Sequence, residues 1–179
     1  YTRFANNNAN RRELWDLFNR PEIELSYQDK LREGIPSAEK IAPIINYGKD
    51  LRYGKNSTSA SIVASNEQLE GIGSYKLDHG RFLMPEDLQH NRLVCVVGKN
   101  IVFELFDNRD PIGEKMKIGG YPFTVIGVLD SMGTSFGNNM DKTVIVPATT
   151  AMKYWHYSWW LTYSVQAKPG KIEDAQNEA

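Results

Sequence analysis

Between Lys115 and Ile118 the chain alternates strictly, with Met116 and Ile118 apolar and Lys115 and Lys117 charged. This two-residue period predicts a half-buried strand. Gly119-Gly120 follows, and a glycine pair accepts the positive φ angles that a tight hairpin turn needs at both positions. The return strand, Phe123 to Val128, is rich in β-branched and aromatic residues, as a strand against a core should be. Gly127 within it predicts a bulge or a close backbone approach, and Pro122, which has no N–H, places the start of the strand at a sheet edge.

The rest of the pattern is a succession of short elements. Leu14, Leu17 and Phe18 fall at helical spacing, with Asn10 as a cap and Pro21 as a stop. Glu22–Leu25 reads as a short strand. Ser26–Glu33 reads as a helix capped by Ser26 and closed by Gly34. Ala38–Tyr47 is extended, with Pro43 calling for an edge position. Gly48 and Gly54 bracket a turn-rich span. Thr58–Ala64 is a strand, and Ser65 with Gln68 has the spacing of a capping box for a short helix carrying Leu69 and Ile72. Pro85-Glu86-Asp87 starts a helix or turn, with Asp78-His79 and Glu86-Asp87 as surface residues.

Leu93–Val97 is a buried strand. Gly98 turns the chain into a helix over Asn100–Phe106, whose stripe is Ile101, Val102, Leu105 and Phe106. Ser131–Lys142 is a Gly- and Asn-rich loop. Thr143–Val146 is a strand closed by Pro147, Thr149-Thr150 cap a short helix, Trp159–Ala167 is a strand, and Lys171–Ala179 begins a helix. No βαβ rhythm is sustained, which argues against a doubly wound parallel sheet.

Composition narrows the picture without changing it. With 179 residues, 41% hydrophobic, the chain suits one domain or two small subdomains sharing a core. A net charge of −1 gives no basic face for nucleic acid. The longest strictly apolar run, Leu93–Val97, is far below the roughly 18 residues of a membrane helix. There is no initiating Met and no signal peptide, so the sequence reads as an excised segment. Its one cysteine, Cys95, lies in an apolar strand and reads as a small buried residue.

Candidate chemistry is sparse. Gly48-Lys49, Gly54-Lys55 and Gly98-Lys99 lack the remaining residues of a phosphate-binding loop, and Gly71-Ile72-Gly73 lacks the third glycine of a dinucleotide site. His79, His90 and His156 form no H-x-H or H-x-x-x-H pair. No G-x-S-x-G occurs, although the parts of a Ser-His-Asp triad need not be close in sequence.

Two features point outward instead. Trp155, Trp159 and Trp160 crowd a short span with Tyr154, Tyr157 and Tyr163. In an alternating strand Trp159 and Trp160 face opposite sides, so one can be core and the other exposed; the cluster suits core or subdomain packing, or a partner-contact surface. The loop around Phe136 and Asn138 carries one aromatic among Gly and Asn, the composition of a mobile tip or a recognition element. Phe136, Asn138, Trp159 and Trp160 are therefore the candidate partner-contact residues. No catalytic, cofactor or metal residue is assigned.

Five stretches, taken in order, resemble the MacB-like periplasmic core domain of ABC transporter permeases. They are Lys76–Phe82, containing Gly80-Arg81-Phe82; Val94–Gly98; Glu104-Leu105-Phe106 through Pro111-Ile112-Gly113; Phe123–Val128; and Val144–Pro147. The family has Leu where Val97 precedes Gly98.

The resemblance implies an α+β, two-lobed domain, with a mixed α/β lobe from both chain ends and an inserted, mostly β lobe. Residues 1–18 would be a stalk following a membrane helix, 19–65 with 159–179 the porter-like lobe, and 66–158 the inserted lobe. It implies an extracytoplasmic domain of an inner-membrane protein that has no catalysis and no cofactor of its own. Its partners would be a second permease copy, a cytoplasmic ATPase, and a periplasmic adaptor or carrier. The function would be transmission of ATP-driven motion across the membrane, for efflux, lipoprotein release or control of cell-wall hydrolases. Two other classes compete: a secreted carbohydrate-binding or sensory module using Trp155, Trp159 and Trp160, and a secreted hydrolase with an aromatic cleft.

Overall fold

The computed structural model describes residues 27–73, 75–131, 134–135, 138–155 and 161–178. The predicted helix around Leu14–Phe18 and the strand Glu22–Leu25 lie outside these residues.

Helix α1 (Tyr27–Gly34) leads into β1 (Ala38–Tyr53), which is followed by β2 (Asn56–Ser65) and β3 (Leu77–Gly80). Helix α2 (Pro85–Gln89), β4 (Val94–Val97) and α3 (Lys99–Phe106) come next. Then follow β5 (Lys115–Ile118), β6 (Tyr121–Leu129), the short strands β7 (Thr134–Ser135) and β8 (Asn138–Asn139), and β9 (Thr143–Pro147). Helix α4 (Ala148–Trp155), β10 (Leu161–Ala167) and α5 (Ile172–Glu178) complete the chain.

The strands β1, β2, β9, β4, β6 and β5 follow one another around a sheet that closes when β5 returns to β1. The closing seam is short: Leu51 pairs with Ile118 and Arg52 with Lys117. Both Leu51 and Ile118 are fully buried. Burial of such side chains contributes about 1.5–3 kcal/mol each, so the seam is held by packing more than by its ladder.

Alternation sorts the wall residues. Ile62, Ala64, Cys95, Val97, Val144 and Val146 face the barrel interior with Met116, Phe123 and Val125. Their neighbours Val63, Val96 and Ile145 face outward yet are also buried, under Leu69, Ile72, Phe82 and Leu83. Both faces of β4 and β9 are thus covered, which explains their unbroken apolar sequences. Strands β4 and β9 are antiparallel neighbours, so α3 and α4, which follow them, leave from opposite ends of the barrel. Each sends apolar residues into the same core: Ile101, Leu105 and Phe106 from α3, Ala148 and Ala151 from α4.

The chain ends form a second, smaller α/β lobe. The first half of β1 pairs with β10, flanked by α1 and α5. Ser37 binds Glu178 twice, its N–H and hydroxyl each donating over 3.0 Å, and Lys168 N–H donates to Ser37 O at 2.9 Å. The molecule is α+β and two-lobed, as the resemblance implied, and β1 runs through both lobes. Pro43 sits where β1 has a strand partner, Tyr163 of β10, on one side only, since β2 pairs only from Ile45 onward.

Four expectations are corrected. Gly48 does not open a turn; β1 continues through it to Tyr53 and the hairpin turns at Gly54, with φ +56°. The helix after β2 is a single 3-10 turn, Glu67–Leu69, and its cap is Asn66, whose side chain accepts from Gln68 N–H, not Ser65. Thr149 and Thr150 lie inside α4, and their hydroxyls donate to Leu88 O and Arg92 O. Asp87 is fully buried, not a surface residue.

Candidate partner-contact surface

The loop that carries Phe136 and Asn138 leaves the end of β6 and returns into β9. Within it β7 and β8 form a two-stranded ladder pairing Thr134 with Asn139 and Ser135 with Asn138. This places the Asn138 backbone in a small hairpin of its own. Phe136, Trp159 and Trp160 lie outside the described residues.

The root of the loop is described in detail. Asp130 accepts from Ser131 N–H at 2.7 Å and from Lys99 Nζ at 3.2 Å. The Ser131 amide and the Lys99 ammonium hold the Asp130 carboxyl below its usual range, and Asp130 in turn raises Lys99. Lys99 also reaches Asp78 at 3.5 Å. The Asp78 carboxyl is lowered, first by its hydrogen bond with His79.

On the returning side Gly98 N–H donates to Thr143 O at 2.9 Å. A Cβ on Gly98 would overlap the Asp141 carbonyl, so glycine lets the loop cross at that point. Lys142 pairs with Glu104 at 2.9 Å, and Thr58 donates to the same carboxylate. Burial works to raise Glu104, but the Thr58 hydroxyl and Lys142 prevail and lower it.

Trp155 is committed to packing. Its ring meets Tyr47 edge-on at 5.5 Å and Phe123 at 5.5 Å, with Lys49 Nζ 5.5 Å above it. The Trp155 indole nitrogen is buried without a hydrogen-bond partner beside Gly119. The half-buried ring is thus engaged by core neighbours on several sides.

The exposed aromatics are others. Phe103 is 61% exposed on α3, next to the 3-10 turn Met140–Lys142 that ends the loop. Tyr121 is 38% exposed and stacks on Tyr154 at 4.8 Å. The sequence carried a signal for Phe103, which falls off the apolar stripe of its helix.

Among the described residues the titratable groups do not converge on a reaction centre. His79 lies between Asp78 at 2.9 Å and Asp110 at 3.5 Å, all on the surface. His90 contacts the Glu86 carbonyl at 2.9 Å. No cluster of three or more His, Cys, Asp or Glu able to hold a metal occurs among the described residues. Burial pushes the Cys95 thiol far up, which makes it a poor nucleophile. Asp87, buried, is met by Arg81 at 2.7 Å, Met84 N–H at 3.0 Å and Arg92 at 3.4 Å. Burial would raise its carboxyl; the Arg81 and Met84 hydrogen bonds outweigh that and lower it. The group fastens α2 to the segment that follows β3 and is fully buried.

Comparison with known proteins agrees with the geometry. The family model described as "MacB-like periplasmic core domain" matches residues 4–179. A macrolide export ATP-binding/permease protein of Bdellovibrio bacteriovorus is 29% identical over 130 residues, 73% of this chain and 20% of that protein. One of Pectobacterium atrosepticum is 31% identical over 119 residues, 66% of this chain and 18% of that protein. The chain therefore spans about a fifth of the length of these relatives. Among solved structures, the periplasmic region of MacB from Actinobacillus actinomycetemcomitans superposes with a TM-score of 0.73 at 20% identity, covering 97% of this chain and 76% of that one. The extracellular domain of the transporter YknZ from Gram-positive bacteria gives 0.71 at 20% identity, covering 89% and 81%. At these identities the structures establish the fold.

Proposed function

The chain belongs to the MacB-like periplasmic core domain family, and on that footing we propose that it is the extracytoplasmic domain of an ABC transporter permease, with no catalytic role of its own. It passes on, as a rigid body, motion driven by ATP hydrolysis in a separate domain or subunit. The substrate moved is a small molecule for efflux or a lipoprotein for release. The partners are a second permease copy, the cytoplasmic ATPase and a periplasmic adaptor or carrier.

In this reading residues 1–18 are the stalk, 19–65 with 159–179 a porter-like lobe, and 66–158 the inserted lobe. Strand β1, whose first half pairs with β10 and whose second half pairs with β2 in the barrel wall, couples the lobes. Phe136, Asn138, Trp159 and Trp160 remain the proposed contact residues.

The observation that supports this most is the convergence of the family stretches on one point of the barrel. Gly80 pairs with Gly127, Arg81 N–H donates to Ile126 O at 2.9 Å, and Gly113 N–H donates to Val125 O at 2.8 Å. Such contacts make the inserted lobe stiff, as a lever must be. The test is affinity purification of the intact permease from its native membrane. An ATPase subunit or domain should accompany it, and the isolated chain should bind no ATP by calorimetry. Micromolar ATP binding by the chain alone would overturn the reading.

A further inference from the structure

The outward face of the β1–β2 hairpin is built in a way the fold itself does not require. Gly48 sits mid-strand with no positive φ, and a Cβ there would meet nothing within 4 Å. A glycine inside a strand weakens it, and it commonly marks a place where a ligand or another backbone comes close. Beside it, Ser59 and Ser61 repeat at two-residue spacing with Ser57, opposite Asp50, Gly48 and Arg52 respectively. These three serine hydroxyls form no side-chain hydrogen bond among the described residues.

The charge on this face is also unbalanced. Arg52 is directly opposite Lys117 across the β1–β5 seam. Like charges in register destabilise a sheet, yet neither cation has a carboxylate partner among the described residues. Lys142 stands on the far wall of the same concavity, its charge shared with Glu104. Among the described residues Asp50 is the one acidic side chain on the floor, and it is in no ion pair with them.

We propose that this trough docks an acidic, extended polypeptide segment. Side chains of an extended segment repeat roughly every 6.8 Å on one face, the same period as the serine row. Its carboxylates would relieve the Arg52–Lys117 repulsion, and Gly48 leaves room for its backbone. A flat bilayer surface would reach the rim cations but not the glycine floor, so a peptide fits the shape where a membrane does not. The inference is independent of the transporter reading.

The test uses the isotope-labelled 179-residue chain, titrated with a short peptide of alternating Glu and Thr, with its Gln counterpart, and with vesicles of mixed phosphatidylcholine and phosphatidylglycerol. The Glu peptide should shift the amides of Gly48, Ser59 and Ser61, and the Gln peptide should not. Arg52→Glu with Lys117→Glu should weaken binding at least about tenfold, the scale of two lost charge contacts. Asp50→Asn should tighten it. Gly48→Thr should abolish it while thermal stability is kept, which separates blocked docking from misfolding. Absence of these shifts at millimolar peptide overturns the proposal. So does binding indifferent to Arg52 and Lys117, or perturbation of the same amides by the vesicles alone.

Discussion

Gly80 and Gly127 lie directly opposite each other on β3 and β6, and neither has room for a side chain. A Cβ on Gly80 would sit 2.8 Å from the Gly127 Cα and 2.6 Å from the Ile126 carbonyl oxygen, while one on Gly127 would overlap the Arg81 carbonyl. Gly80 also adopts φ +84°. Two stretches that carry the family resemblance, Gly80-Arg81-Phe82 and Ile126-Gly127-Val128, are therefore one structural unit. The bulge at Gly127 shifts the alternation of β6, so Val125 and Val128, three apart, both face the barrel core.

Gly127→Ala should destabilise the domain by about 1–3 kcal/mol, because backbone, not a flexible side chain, occupies the space. Gly48→Ala, in open space at an ordinary φ, should change stability by less than about 1 kcal/mol. Urea denaturation of the two variants beside the parent chain checks the contrast. Equal losses would show that the close approach at Gly127 carries no special weight.

Asp87→Asn should destabilise the domain by about 1.5–3 kcal/mol, the scale of lost hydrogen bonds to a charged group, since Arg81 and Arg92 stay partly solvated once the buried carboxylate is gone. The carboxyl is lowered in the folded state. Its contribution is therefore complete above the unfolded value near 4 and is lost as pH falls through the lower folded value. Denaturation between pH 7 and pH 2.5 should show a steeper acid loss for the parent than for Asp87→Asn. Asp78, Asp130 and Glu104, lowered likewise, keep some slope in both.

Cys95 is fully buried in β4, with its thiol shifted far upward by burial. It should resist a thiol reagent such as dithiobisnitrobenzoate in the native chain and react only after unfolding. Modification at the rate of a free thiol would contradict a closed barrel.

Asn66 both caps the 3-10 turn through Gln68 N–H at 3.1 Å and donates to Gln28 at 3.1 Å and Ile41 O at 3.4 Å. It is 3% exposed. Asn66→Ala should cost about 1–2 kcal/mol, the scale of a lost cap. Thermal melting of the variant checks this, and an unchanged midpoint would mean the bridge between α1, β1 and the 3-10 turn is slack.

Local signals in the sequence carried much of this fold. The β5–β6 hairpin follows from alternation plus Gly119-Gly120, whose φ angles are +54° and +93°. The strand around Cys95 and the helix to Phe106 follow from periodicity. Non-local features were not legible. No local pattern announces that Leu51 meets Ile118 to close a barrel. Nor does one show that Gly48 stays in a strand because β2 pairs all along it. Asp87 looked exposed because a carboxylate's burial depends on Arg81 and Arg92, which only tertiary contact brings to it. Of the candidate contact residues, only the Asn138 backbone falls among those described. Phe103 and Tyr121 became visible once the helix and hairpin were oriented.

The most direct test of the mechanical role is distance measurement by paired spin labels in the intact permease, reconstituted with its ATPase. Labels on exposed Ser59→Cys in two copies would report motion between domains. A second pair at Ser59→Cys and Asp107→Cys within one copy would report deformation, with buried Cys95 left in place. If the domain moves as a rigid lever, trapping the ATPase with nucleotide and vanadate changes the distance between copies and leaves the internal distance constant. An unchanged distance between copies, or a change confined within the barrel, would contradict the mechanical role.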